Sequence, residues 1–321
     1  MDKNKPGGSK PKSQYRYGIA EWYGRPFLAL TEQERRNFAQ LQKILKKARP
    51  AQACPFQSRQ GHPVACNKEG GVCSLRLYER RTDSGLVRPA SGELAHISTT
   101  CPSRFEEDQT IYRWVSETIL GCENPLVVAE VGFLERPRPE AGADTRGQAG
   151  DDVGRIDRVL VVPNSKPLAW CALEVQAVYF QGRAMKFDFE NILQHSGQAL
   201  PFPAAPRRPD YRSSGPKRLM PQLQIKVPSL RRWGKKMAVV VDRAFFGAMG
   251  KMDVVKDVSN CDVAWFVASY DESSGGIRLR RGDLHLTTLE RSVEGLTAGT
   301  PVTLDVFEQR IISKLQRLPQ P

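Results

Sequence analysis

Gly154-Arg155-Ile156-Asp157-Arg158-Val159-Leu160-Val161-Val162 and Trp170-Cys171-Ala172-Leu173-Glu174-Val175-Gln176-Ala177-Val178 decide how this chain is read. Each is an apolar, β-branched run interrupted by an acid, and a carboxylate there is costly to desolvate unless a cation holds it. The turn Pro163-Asn164-Ser165-Lys166-Pro167 between them predicts an antiparallel hairpin. Centring that turn on Ser165 and Lys166 sets Asp157 opposite Glu174. Opposed residues share a sheet face with Cβ atoms about 4.5–5.5 Å apart. Gln176 shares that face because strand side chains alternate with period two. Two like charges so close repel unless something positive sits between them. A hard divalent cation such as Mg²⁺, completed by waters and a phosphate oxygen, would supply it. The plain alternative is an acidic pair on the outer face of a half-exposed sheet, and spacing alone does not separate the two.

The rest of the chain supplies a context for such a site. With 321 residues and 40% hydrophobic content it can bury the core of one large domain, or of a domain with a satellite module. Its net charge of +13 is the balance of a polyanion binder. That charge is concentrated: residues 207–236 carry ten Lys or Arg and one acid, Asp210, and residues 1–50 carry twelve basic against four acidic residues. Two such blocks point to surfaces for phosphates, whose neutralisation dominates nucleic-acid affinity. No run approaches the roughly 18 apolar residues of a membrane span. Met1 to Ser13 lacks the apolar stretch of a signal peptide and reads, to residue 14, as a disordered basic tail. Seven cysteines without an export signal argue against a disulfide framework, so a cytoplasmic location is expected.

Thr31-Glu32-Gln33-Glu34 is a capping box that predicts a helix through about Lys47, with Phe38, Leu41 and Leu45 on one face. Ser103-Arg104-Phe105-Glu106 is a second, predicting a helix to about Leu120. Leu126–Val131 reads as a first central strand, interrupted by Glu130, and residues 135–152 as a Pro/Gly/acidic loop feeding the hairpin. Phe187 to about Leu200 reads as helix, Pro201–Pro228 as irregular, and Met237–Asp242 and Val263–Ala268 as buried strands. Periodicity alone gives an α/β or α+β chain with a mixed sheet.

Residues 50–101 are rich in Cys, Gly, Pro and polar side chains with little periodicity. Cys54, Cys66, Cys73 and Cys101 are too widely spaced for a zinc-ribbon pattern. Either they are free loop thiols, or four thiolates around one ion tie down a region short of apolar content. Zn²⁺ and iron both suit tetrahedral thiolates, with His62 and His96 as fallback ligands. Cys122, Cys171 and Cys261 lie near apolar runs and read as core packing.

An Asp on one strand followed by Glu-x-Gln on the next resembles the PD-(D/E)XK nucleases, with Gln where Lys is usual. The longer wording, Gly154–Asp157 with Trp170–Phe180, is similar to the core of the NotI-like type II restriction endonucleases. The similarity extends over roughly residues 15–315, taking in the four upstream cysteines and Arg232-Trp233-Gly234-Lys235-Lys236-Met237-Ala238-Val239-Val240-Val241-Asp242. The resemblance implies a PD-(D/E)XK core over 103–315, a central mixed sheet flanked by helices, behind a helix and four-cysteine region over 15–102. It implies Mg²⁺ held by Asp157 and Glu174, with Gln176 and the third carboxylate Glu130 completing the catalytic set, and one structural iron or zinc ion on Cys54, Cys66, Cys73 and Cys101. Glu130 also reads as a strand-end surface acid. Gln176 supplies no positive charge, which puts its role as a charge stabiliser in doubt and suggests greater reliance on metal.

The implied reaction is cleavage of double-stranded DNA at a specific site to leave 5′-phosphate and 3′-hydroxyl ends. Arg207, Arg208, Arg212, Lys217, Arg218, Arg231, Arg232, Lys235 and Lys236 are the expected duplex contacts. Arginine suits bidentate contact with guanine, in keeping with the family's G/C-rich sites, although most such contacts go to phosphate. Trp233 reads as a packing anchor. A palindromic site calls for a two-fold protein, so a homodimer is expected. The rival readings are a structure-specific repair or recombination nuclease of the same superfamily and a non-catalytic metal-stabilised DNA-binding protein.

Overall fold

The structure, a computed structural model, describes residues 13–44, 50–58, 62–135, 152–197, 199–273, 275–297, 299 and 302–316. Most of the expected basic tail and nearly all of the acidic loop before the hairpin lie outside them. The described residues begin with β1 (Ser13–Trp22), β2 (Arg25–Pro26) and helix α1 (Glu32–Leu41). Tyr23 and Gly24 make the β1–β2 turn with both φ values positive, 47° and 73°, as a two-residue hairpin turn requires. The capping box forms as read: Glu34 N–H donates to Thr31 Oγ1 at 3.2 Å, and Thr31 N–H donates back to Glu34 at 2.8 Å.

Residues 50–101 are not the irregular region expected. They hold β3 (Val72–Arg81), β4 (Val87–Pro89) and β5 (Ile97–Thr99), and β3 is the strand on which β1, β4 and β5 all pair. Periodicity missed β3 because its buried positions include Ser74, Arg76 and Glu79. Each has a polar partner: Ser74 donates to Glu21, Arg76 to Glu272, and Glu79 accepts from Ser13 and Arg88. The N-terminal sheet is thus held by paired polar groups as well as by Trp22, Phe27 and Tyr78.

The second capping box does not form. Pro102–Gln109 is 3₁₀ backbone broken by Glu107 and Asp108, and α2 begins only at Thr110, running to Leu120. Then come β6 (Leu126–Glu135), β7 (Asp152–Val161), β8 (Trp170–Val175), the short β9 (Phe180–Gly182) and α3 (Lys186–Gln194). After β10 (Arg207–Pro209) and α4 (Tyr211–Ser214), a π-helical turn leads into α5 (Met220–Arg232). The expected irregular stretch therefore runs into a 13-residue helix, which begins at Met220 and continues past Pro228. Pro221 sits in its first turn, where no backbone donor is needed, and Pro228 lies inside it, a position that sequence rules count against a helix.

The chain closes with β11 (Met237–Asp242), α6 (Arg243–Gly247), β12 (Val263–Asp271), β13 (Arg278–Thr287), α7 (Leu289–Thr297) and α8 (Leu304–Leu315). The main sheet has the order β13-β12-β11-β8-β7-β6, with β11 parallel to both β8 and β12 and the rest antiparallel. A mixed sheet flanked by helices is what the sequence implied. β6 is a correction: it is the edge strand, not a central one, and Leu126, Val128, Val131 and Leu134 are exposed.

All six residues of β11 are buried, because helices cover both faces of the sheet. On one face Leu160, Leu173, Val240 and Phe266 pack against Ile111 and Val115 of α2. On the other, Val159, Ala172, Val239 and Trp265 pack against Leu219, Leu223, Val227 and Leu230. The alternation fixes which β8 side chains face α5: Ala172 and, two residues on, Glu174. The N-terminal sheet is tied to this core by Arg104, fully buried, which donates to Glu21, Glu107 and the Ile277 carbonyl.

Candidate active site

The hairpin register is the one the turn predicted. β7 pairs β8 with Arg158 opposite Leu173 and Val159 opposite Ala172, a register that sets Asp157 against Glu174. Both project toward α5. Glu174 is buried, 4% exposed, whereas half of the Asp157 side chain is open, 49%. The two carboxyls lie within hydrogen-bonding reach of each other. Burial first, and the Asp157 charge as well, push the Glu174 carboxyl up to about 7, against the pull of Lys226.

Lys226 is the residue that sequence reading missed. It lies on the sheet-facing stripe of α5 and is 3% exposed. Its Nζ donates to Glu174 Oε2 at 2.6 Å and lies 3.4 Å from Asp157 Oδ1. The spacing Leu219, Leu223, Val227, Leu230 was the available signal, since it is a helical stripe with Lys226 on it. Pro221 and Pro228 hid it.

Gln176 follows the end of β8. Its N–H donates to the Val240 carbonyl, and its Nε2 to the Ala177 carbonyl at 2.6 Å. Glu130 stands opposite Asp157 in the β6–β7 register but at a break in the pairing, with φ of 53°. Its carboxylate is 70% exposed and meets Arg155 at 3.4 Å. Its ion pair is thus with the cleft residue Arg155 and not with Lys226.

Asp157 and Glu174 face a cleft of about 1460 Å³ that separates the sheet from the N-terminal region. Asp157, Glu174, Gln176 and Lys226 line it together with Lys68, Arg155, Arg183, Lys186, Lys217 and Arg218. The expected basic contacts divide accordingly. Lys217 and Arg218 face the cleft, Arg218 stacked 3.7 Å over the Tyr179 ring. Arg208 and Arg212 are exposed. Arg207 is buried, and its guanidinium is spent on Asp188 and the Tyr17 carbonyl, a structural tie. Arg231 pairs with Asp262 and Glu290, and Arg232 donates to Ser229. Lys235 and Lys236 donate to the Leu168 carbonyl and to those of Ser259 and Cys261, at the far end of β8 from Gln176. Half-exposed Trp233 packs against Trp170. The cleft cations Lys68, Arg155, Arg183 and Lys186 come from segments whose local charge density is unremarkable, which is why the sequence did not single them out.

The four upstream cysteines lie within electrostatic reach of one another without forming a metal-holding group among the described residues. Cys101 N–H donates to the Cys73 carbonyl, and hairpin bonds from Cys54 N–H to Val64 and from Cys66 N–H to Gln52 bring the other two alongside. Electrostatic coupling links Cys66 with Cys54 and Cys101, and Cys73 with Cys101 and Cys66. Burial pushes the Cys66 and Cys73 thiols up, while N–H groups of Lys68 and Gly24 donate to their sulfurs and favour the thiolates. Gly24 packs against Pro55 so closely that a Cβ there would stand 2.2 Å from Pro55 Cγ. Among the described residues no group of three or more His, Cys, Asp or Glu side chains is placed to hold a metal ion. His62 and His96 do not join the thiols; His96 bonds Tyr17. Cys171 and Cys261 are buried in the sheet core as read, and Cys122 is half-buried.

No helix among the described residues is long and apolar enough to cross a membrane. Compared with known families, residues 39–280 match the model of restriction endonuclease NotI. That span takes in the four cysteines, the hairpin, α5 and the main sheet through all of β12 and into the start of β13. None of the curated proteins matches the chain.

Proposed function

Because the chain belongs to the NotI restriction endonuclease family, and so is a type II site-specific deoxyribonuclease, we propose that its reaction centre is the Asp157–Glu174 pair. The observation that carries this reading is the convergence of the two carboxylates on a single positive group at the floor of a basic cleft. A site already balanced by one ammonium is a site for positive charge, and two carboxylates completed by waters and phosphate are the usual protein share of a Mg²⁺ site. Asp157 and Glu174 would hold Mg²⁺, which polarises a phosphoryl oxygen and makes bound water more acidic. Asp157, the more exposed of the two, faces the substrate side. Glu174, with its proton affinity raised, needs a cation or a proton to stay buried. Gln176 orients its neighbourhood through its amide, and Glu130 keeps Arg155 at the cleft wall.

The substrate is double-stranded DNA, cut at a G/C-rich palindromic site to leave 5′-phosphate and 3′-hydroxyl ends, by a homodimer whose two centres address the two strands. Lys217, Arg218 and the other cleft cations would contact phosphates, which positions the duplex without specifying its sequence. Cys54, Cys66, Cys73 and Cys101 would hold one structural iron or zinc ion, a role supported by their electrostatic proximity and by the N–H groups donating to the Cys66 and Cys73 sulfurs. Digesting a sequenced G/C-rich genome in Mg²⁺ and mapping the ends tests the reading. Discrete fragments with one common terminal sequence are expected. Cutting that follows branches or ends instead of sequence would overturn it.

A further inference from the structure

We propose that Lys226 is a catalytic residue, and that its ammonium reaches from α5 to the scissile phosphate to supply the positive charge that Gln176 cannot. The proposal rests on the placement of the reaction centre at Asp157 and Glu174. Lysine is almost never fully buried unless paired, and Lys226, 3% exposed, is buried against both carboxylates. Its Nζ stands 2.6 Å from Glu174 and 3.4 Å from Asp157. An ammonium carries three donors; among the described residues these contacts take two of them. Lys226 also lines the cleft, next to Pro221, Gln222 and Ile225 of the same helix. A phosphate brought to the half-open Asp157 carboxylate therefore arrives beside Nζ.

Gln176 cannot do this work. Its amide is neutral, and its Nε2 already donates to the Ala177 carbonyl. The transition state of phosphodiester hydrolysis carries more negative charge at phosphorus than the ground state, so a fixed cation within reach of its oxygens stabilises it selectively. The carboxylates hold that cation in register, and α5 delivers it because the buried stripe Leu223, Val227, Leu230 anchors the helix to the sheet.

The test compares single-turnover cleavage, DNA binding and metal binding in four variants of the full chain. Lys226→Met is expected to cleave about 100-fold or more slowly, the scale of losing one charge-stabilising donor. It should still bind Ca²⁺, followed by calorimetry, at least as tightly as the native protein, because the competing ammonium is gone. Lys226→Gln, whose amide still bonds Glu174, preserves the fold if the Met variant does not, and is expected to be equally slow. Restoring the charge from strand β8, in Gln176→Lys combined with Lys226→Met, is expected to recover cleavage at least tenfold, which a merely structural lysine would not allow. Native-rate cleavage by Lys226→Gln or Lys226→Met overturns the proposal, as does a double variant that folds, binds metal and stays as slow as Lys226→Met. Asp157→Asn is the control: if it cuts at the native rate, the placement of the reaction centre itself has failed, independently of Lys226.

Discussion

Glu174 is where the costs of the site concentrate. Burial holds its carboxyl at about 7, well above its ordinary 4.5, although Lys226 bonds it directly. In the metal-free protein the folded state therefore keeps a proton that the unfolded chain has already released. More protons bound in the folded state means that stability falls as pH rises. The contribution is complete below about 4.5 and is lost progressively up to about 7. In a chelating buffer, the native protein should lose more thermal stability between pH 5 and pH 8 than Glu174→Gln does. Parallel curves for the two proteins would show that Glu174 is not held in this way. The acids were legible in the sequence because a carboxylate in a β-branched strand is conspicuous. Lys226 was not, because a lysine among ten basic residues carries no such contrast.

The hairpin and α5 show which elements can be read from sequence and which cannot. Turn chemistry and alternation set the β7–β8 register without help from the rest of the fold, and the pairs from Arg158–Leu173 to Val161–Trp170 agree with it. α1 starts where its capping box says, because that signal is local and its bonds form. The similar pattern at Ser103–Glu106 is not used: Glu106, the acid such a cap would need, is taken by a tertiary ion pair with Arg158. β3 and α5 were hidden for opposite reasons, the first by buried polar residues whose partners are distant in sequence, the second by two prolines. If α5 holds Lys226 in place through its apolar stripe, Leu223→Ala should destabilise the protein by about 2–5 kcal/mol, the usual cost of emptying a buried leucine site. Chemical denaturation reads this directly. A loss under about 1 kcal/mol would mean that α5 is not packed on the sheet as described.

Across the whole molecule, a mixed sheet clad in helices carries the carboxylates, and a second sheet closes the other side of a cation-lined cleft. The two are coupled through Arg104, whose removal would strand Glu21 and Glu107 in the interior. Composition pointed to the partner class, since a net charge of +13 with its basic residues concentrated in two blocks is the balance of a polyanion binder. It could not say which cations face the cleft, because Lys68, Arg155, Arg183 and Lys186 meet Lys217 and Arg218 only once the chain is folded. The central claim is that Asp157 and Glu174 together form the hydrolytic centre. It is tested most directly by the Mg²⁺ dependence of duplex cleavage in the native protein beside Asp157→Asn. The account predicts site-specific cleavage that requires Mg²⁺ and falls at least 1000-fold (about 4 kcal/mol of barrier) in the variant, with duplex binding retained. Mg²⁺-dependent cleavage by Asp157→Asn at the native rate would contradict it.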